Sequence, residues 1–290
     1  MTLTLALQLL VNGLVVGGLL GLVALGLALI FGVMRVINFA HGEFITLGAY
    51  LTWLIAGGLG LSPLIGVPVS FLAGAALGWV VQALLISHVA ARPPLDMLMV
   101  TYALSAIGLG LYSIVFGGDF RSYSGGPSGE LRLAGVSVGL RSLTVICVCV
   151  LLAGAVTLLL RSARIGLALR ALAQNRDAAA TCGIDVRRTE RIAFSLAVGL
   201  AAAAGSLVSL IGTTTPTVGH DWVLDGFVVV VVGGLGSIPG ALLAALLIGL
   251  VQSVCGFVLD DAWAKIITYA LLYLTLLLRP QGLFGQSAEA

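Results

Sequence analysis

The sequence predicts an all-α polytopic membrane protein, and three observations carry that expectation. Apolar residues make up 60 % of the chain and charged residues only 9 %, against roughly 25 % charged in a soluble domain. Mean hydropathy is +1.16, and repeated apolar runs reach the length of about 20 residues that a helix needs to cross a bilayer. The short alternating segments of a transmembrane barrel are not found in the sequence.

Taken in order, the apolar runs cover residues 8–34, 36–57, 64–90, 95–116, 142–160, 192–212, 224–256 and 262–279, so about eight membrane segments are expected in one transmembrane domain, 1–290. The first run follows an N-terminus without a basic region, so it reads as a retained helix rather than a cleaved signal. Ser62-Pro63 and Arg92-Pro93-Pro94 separate neighbouring runs, because proline disfavours helix in the residue before it. Gly117 to Gly139 is the longest polar loop, and Arg279-Pro280 ends the last helix.

Two runs fit poorly as simple spans. Segment 224–256 is too long for one helix and contains Gly233, Gly234, Gly236, Ser237, Pro239 and Gly240, where glycine freedom and the missing proline donor oppose helix. Segment 36–57 is its counterpart, with Gly32 before it and Gly42 and Gly48 inside it. Both are expected to be broken or re-entrant. The order 8–30, 31–57, 66–88 weakly echoes 192–212, 224–256, 262–279, an internal repeat of the kind that places interrupted helices near a substrate path. Close packing of glycine-rich helices is the alternative reading of the same glycines.

Net charge is only +2, but seven of the 14 basic residues lie between Arg161 and Arg191. The positive-inside rule makes that segment cytoplasmic, together with Arg92 and Arg279, and places the 117–141 loop on the opposite side. The four cysteines form no disulfide framework, and no metal site is expected from their spacing or from that of the three histidines. Catalysis is not expected either. The one lysine, Lys265, has no preceding glycine loop, so the chain has no Walker A site, and it has no nucleophile elbow. Any ATP that drives it must be hydrolysed by another chain.

Two segments remain as functional candidates. Residues 164–185 are alanine-rich, and a short cytoplasmic helix is expected there, with Arg170, Gln174, Asp177 and Thr181 on one face and Gly183 as its stop. Such a helix can dock on a partner. The other candidate is Asn38, His41 and Glu43, polar groups in apolar surroundings that either line a route, cap a broken helix or join two helices. His220, Asp221, Trp222 and Asp225 read as an interfacial cluster near a helix start.

Three stretches stand out in order: Val36-Ile37-Asn38-Phe39-Ala40-His41-Gly42-Glu43 followed by Leu47-Gly48-Ala49-Tyr50; Arg170-Ala171-Leu172-Ala173-Gln174-Asn175, then Ala178-Ala179 and Gly183-Ile184; and Val230 to Ala241. On these the chain resembles the permeases of branched-chain amino-acid ABC transporters, and most closely the shorter of their two paralogous subunits. The first stretch is similar to the family's first signature, the second, with Asp177 inside it, to its coupling segment, and the third to its third signature.

The resemblance implies a permease of the bacterial inner membrane, working with a second paralogous permease, two ABC ATPases and a periplasmic binding protein, in contact with membrane lipid and with no nucleic-acid partner. It further implies that Mg-ATP binds the ATPases and that this chain carries no cofactor. Residues 161–190 would be the coupling segment. Urea or short amides are the competing substrates, and an ion-coupled secondary transporter using Glu43 and His41 is the rival class.

Overall fold

The structure is a computed structural model that describes residues 3–90, 92–133 and 136–284. Among these, seven helices are long and apolar enough to cross a membrane. They are α1 (Leu3–Met34), α3 (Pro63–Val89), α4 (Leu95–Phe116), α5 (Leu140–Ser162), and then α8 (Val186–Ile211), α10 (Ile238–Val258) and α11 (Asp261–Leu278). Two shorter apolar helices, α2 (His41–Trp53) and α9 (Val218–Gly233), are mostly buried between them. Two short polar helices, α6 (Arg164–Gln174) and α7 (Arg176–Thr181), join α5 to α8 at the arginine-rich end of the bundle.

The all-α expectation holds. Nine apolar helices replace the expected eight because run 224–256 is two helices separated at residues 234–237, where Gly234 and Gly236 take φ of 105° and 82°. The polar loop is not wholly irregular. Glu130–Leu133 (β1) and Val136–Gly139 (β2) pair antiparallel, with Glu130 opposite Gly139 and Leu133 opposite Val136.

Glycine spacing fixes which helices touch. Gly13 of α1 meets Leu250 of α10 while Gly21 meets Leu242, so these two helices run antiparallel. Gly74 of α3 meets Ala202 of α8 while Gly78 meets Ser195 and Val198, which gives the same antiparallel pairing. The two pairs are counterparts: α1 ends at the arginine-rich end, and α8 starts there. The short second members, α2 and α9, abut through Gly42 and Gly219. Thr46 accepts a hydrogen bond from the Gly219 N–H (3.1 Å), which fastens this contact.

The internal repeat is therefore α1–α4 against α8–α11. The sequence had aligned 66–88 with 262–279, one element too late, because the split of run 224–256 was counted as an interruption rather than as two helices. The central helices are the most buried, and α4 and α11 lie at the periphery.

Candidate translocation and coupling sites

The first break lies at residues 35–40. Arg35 closes the last turn of α1 by donating to the Phe31 carbonyl, and it is the one non-glycine described residue with positive φ (55°). Asn38 then turns the chain: its side-chain oxygen accepts from the Ala40 N–H at 3.1 Å, and its carbonyl accepts from the His41 N–H. A left-handed non-glycine residue costs roughly 1–2 kcal/mol, so the surrounding packing must hold this break in place.

Gly42 and Gly48 do not break the helix, contrary to the sequence expectation. Both sit inside the continuous helix α2 at close contacts. A Cβ on Gly42 would meet the Gly219 carbonyl, and one on Gly48 would fall on the Ala202 carbonyl of α8. Of the two readings of these glycines, close packing is the one the geometry favours.

Asn38, His41 and Glu43 are all buried, at 1 %, 0 % and 7 % exposure. His41 packs its ring against Gly26 of α1, and neither ring nitrogen makes a well-formed hydrogen bond, although the Val23 carbonyl lies near. Glu43 faces α4. One carboxylate oxygen accepts from Ser105 (2.9 Å), and its backbone carbonyl accepts from the Tyr112 hydroxyl (2.8 Å). The other carboxylate oxygen and the Asn38 amide nitrogen have no partner. Leaving a buried polar atom unpaired costs roughly 1–3 kcal/mol, so this stretch concentrates polar strain at the start of α2.

The second break, Gly233 to Gly240, lies at the arginine-rich end, beside α1. Gly236 approaches Gly32. Ser237 caps α10 by accepting from the Gly240 N–H (3.2 Å), and Pro239 occupies the first turn, where it removes no helical bond. The end of α9 is finished by the C-terminal segment: Leu283 and Phe284 donate to the carbonyls of Val232 and Gly233. The stretch enters from the far end as α9 and returns there as α10, so run 224–256 is broken as expected.

One polar cluster is not evident from the sequence. Asp225 shares the start of α9 with His220 and Asp221, but its side chain turns into the bundle. It is buried at 4 % exposure, and one carboxylate oxygen binds Lys265 Nζ of α11 (2.5 Å) and Gln252 of α10 (3.2 Å). Gln252 also donates to Thr268. The available signal was that the only lysine lies in an apolar helix, where a charge needs a partner. At the far end, Arg121 stacks over Trp53 (5.2 Å) and exchanges backbone bonds with Thr214, which ties the long loop to the end of α8.

The coupling candidates fall on two helices rather than the one expected. Asn175 takes an extended conformation (φ −152°) and its side chain accepts from the Ala178 N–H at 2.9 Å, so it ends α6 and caps α7. Arg170, Gln174, Asp177 and Thr181 therefore do not share a continuous helical face. Arg170 reaches back to the Arg161 carbonyl (3.4 Å) and lines a groove, and Gln174 and Asn175 line a second one with Met34 and Arg35.

Asp177, Ala178 and Thr181 are exposed, and Ala171 is half-buried. Gly183 has φ 82° and ends α7, with the Gly183 and Ile184 N–H groups bonding back to Ala180 and Ala179. Arg176 clamps this unit to α8 through Glu190 (2.6 Å).

Seven apolar helices of spanning length, with short buried helices between them, define a multi-pass membrane protein. A family model described as the branched-chain amino acid transport system permease component matches residues 9–276. The high-affinity branched-chain amino acid transport system permease protein BraD of Pseudomonas aeruginosa is 31 % identical, over 97 % of this chain and 96 % of its own. The permease of the same description, LivH of Escherichia coli, is 30 % identical with the same coverage. The probable LivH of Methanocaldococcus jannaschii is 30 % identical over 94 % of this chain and 91 % of its own. No solved structure is significantly similar. The chain belongs to the branched-chain amino acid transport system permease family.

Proposed function

We propose that this chain is the permease subunit of an ATP-driven importer of branched-chain amino acids in the inner membrane, powered by separate ATPase subunits. The α6–α7 unit carries the proposal. It exposes Asp177, Ala178 and Thr181, and it contacts the end of α1 through the Met34–Arg35 groove and the base of α8 through Glu190. The positive-inside rule puts this arginine-rich end in the cytoplasm, where an ATPase can reach it.

Force applied to α6–α7 acts directly on the helix that precedes the first break. Movement there would expose Asn38, His41 and Glu43 to the permeant molecule, giving their unpaired atoms partners. A second permease, two ATPases and a binding protein outside the membrane complete the importer. The substrate rests on the relatives' names and on no specific side chain.

Gly183→Val and Arg176→Ala test the coupling role. Valine at φ 82° strains the α7 stop by roughly 1–2 kcal/mol, and a Cβ there meets no neighbouring atom. Membrane insertion is expected to be normal in both variants, with ATPase co-purification and leucine uptake reduced several-fold. Full co-purification and full uptake in both would remove α6–α7 from the coupling role.

A further inference from the structure

At the arginine-rich end, a cavity of about 230 Å³ opens between α1, α5, α6 and the start of α10. Its body is apolar, formed by residues such as Ala28, Leu29, Leu160, Leu169 and Ile238. Three polar side chains line it. Thr157 already donates to the Ala153 carbonyl (2.7 Å), which leaves Arg161 and Arg170 as the groups open to a ligand. Arg170 donates to the Arg161 backbone carbonyl, which draws its guanidinium to the end of α5, and neither arginine has a carboxylate partner among the described residues.

The third positive element is the N-terminus of α10. Gly236, Ile238 and Pro239 form part of the wall, and the 21-residue helix that starts there directs positive partial charge at the cavity. Further along α1, α5 and α10 pack on different residues of that helix: Cys149 meets Gly18, whereas Ala245 and Leu246 meet Gly17.

An apolar slot at the end of membrane spans, rimmed by two unpaired guanidiniums, suits an amphiphile with an anionic head. We infer that this groove seats an anionic glycerophospholipid of the leaflet on the arginine-rich side. Its phosphate lies between Arg161 and Arg170, and an acyl chain runs over Ala28 and Leu29 along α1. Basic pockets between membrane helices hold lipid headgroups by this chemistry. Asp177, Ala178 and Thr181, exposed for the ATPase in the function proposed above, do not line the cavity, so the lipid takes Arg170 of the coupling segment and leaves that exposed patch free.

The test uses the full-length chain, delipidated in mild detergent, titrated with phosphatidylglycerol or phosphatidylcholine and read by native mass spectrometry. One tightly held phosphatidylglycerol is expected, with phosphatidylcholine weaker. Each arginine should contribute about five-fold, so Arg161→Ala/Arg170→Ala should weaken phosphatidylglycerol about twenty-five-fold and phosphatidylcholine, whose phosphate is offset by its own ammonium, much less. Arg161→Lys/Arg170→Lys should keep most of the preference, which separates lost charge from lost fold.

Thr157→Phe fills the apolar body, keeps both arginines and should lose the lipid. Equal retention of the two lipids, or undiminished phosphatidylglycerol in the double alanine variant, overturns the inference. Displacement by inorganic phosphate alone would overturn it too, in favour of a soluble anion. None of these readouts involves transport, so they stand or fall separately from the importer function.

Discussion

Gly48→Leu is expected to abolish the stable fold. A Cβ at residue 48 falls on the Ala202 carbonyl, and the reciprocal contact sets Gly205 against the Ile45 carbonyl, so α2 and α8 touch backbone to backbone. Neither helix can give by a rotamer change. The two must separate, and the buried Ser206 hydroxyl loses its bond from Thr52 (2.6 Å) as they do. Overpacking a core costs about 1–3 kcal/mol, and each unpaired buried group adds roughly 1–3 kcal/mol.

The unfolding midpoint in detergent, followed by tryptophan fluorescence, should fall steeply or the protein should aggregate. Gly110→Leu is the control, since a side chain there meets nothing within 4 Å. Equal midpoints for the two variants would show that α2 and α8 do not pack as described.

Lys265→Met carries the second large effect. It leaves the Asp225 carboxylate buried with Gln252 as its remaining donor. Breaking a buried pair typically costs 3–5 kcal/mol, but the Lys265 side chain is 45 % exposed, so solvent screening reduces the expectation to about 2–3 kcal/mol. Asp225→Asn/Lys265→Met should recover most of that stability, because the charge that needed a partner is gone. A double variant as unstable as the single one would mean that the ion pair is not what joins α9 to α11.

Much of this architecture was legible in the sequence, for identifiable reasons. A long apolar run such as 8–34 has one stable outcome in lipid, where every backbone group must bond within its own helix. The split near Gly234 was legible because two glycines, a serine and a proline oppose helix together. Gly42 and Gly48 stayed open to two readings because glycine serves equally for a break and for a close contact, and the deciding atoms, the Gly219 and Ala202 carbonyls, lie more than a hundred residues away.

Asn175 was missed within an alanine-rich stretch, although asparagine favours caps over helix interiors. The Asp225–Lys265 pair joins residues 40 apart on different helices, and no local pattern reveals it. The strand pair 130–133 and 136–139 could have been found from the alternation Leu131, Leu133 and Val136, Val138.

Transport by the reconstituted chain is the most direct test of the central claim that the driving force enters through α6–α7 from outside this polypeptide. Leucine uptake would be measured in vesicles holding this permease with its paralogue and ATPases, and in vesicles holding this chain alone under an imposed ion gradient. ATP-dependent uptake is expected only from the assembled set, with a several-fold reduction in Gly183→Val. Gradient-driven leucine accumulation by the lone chain would contradict the claim.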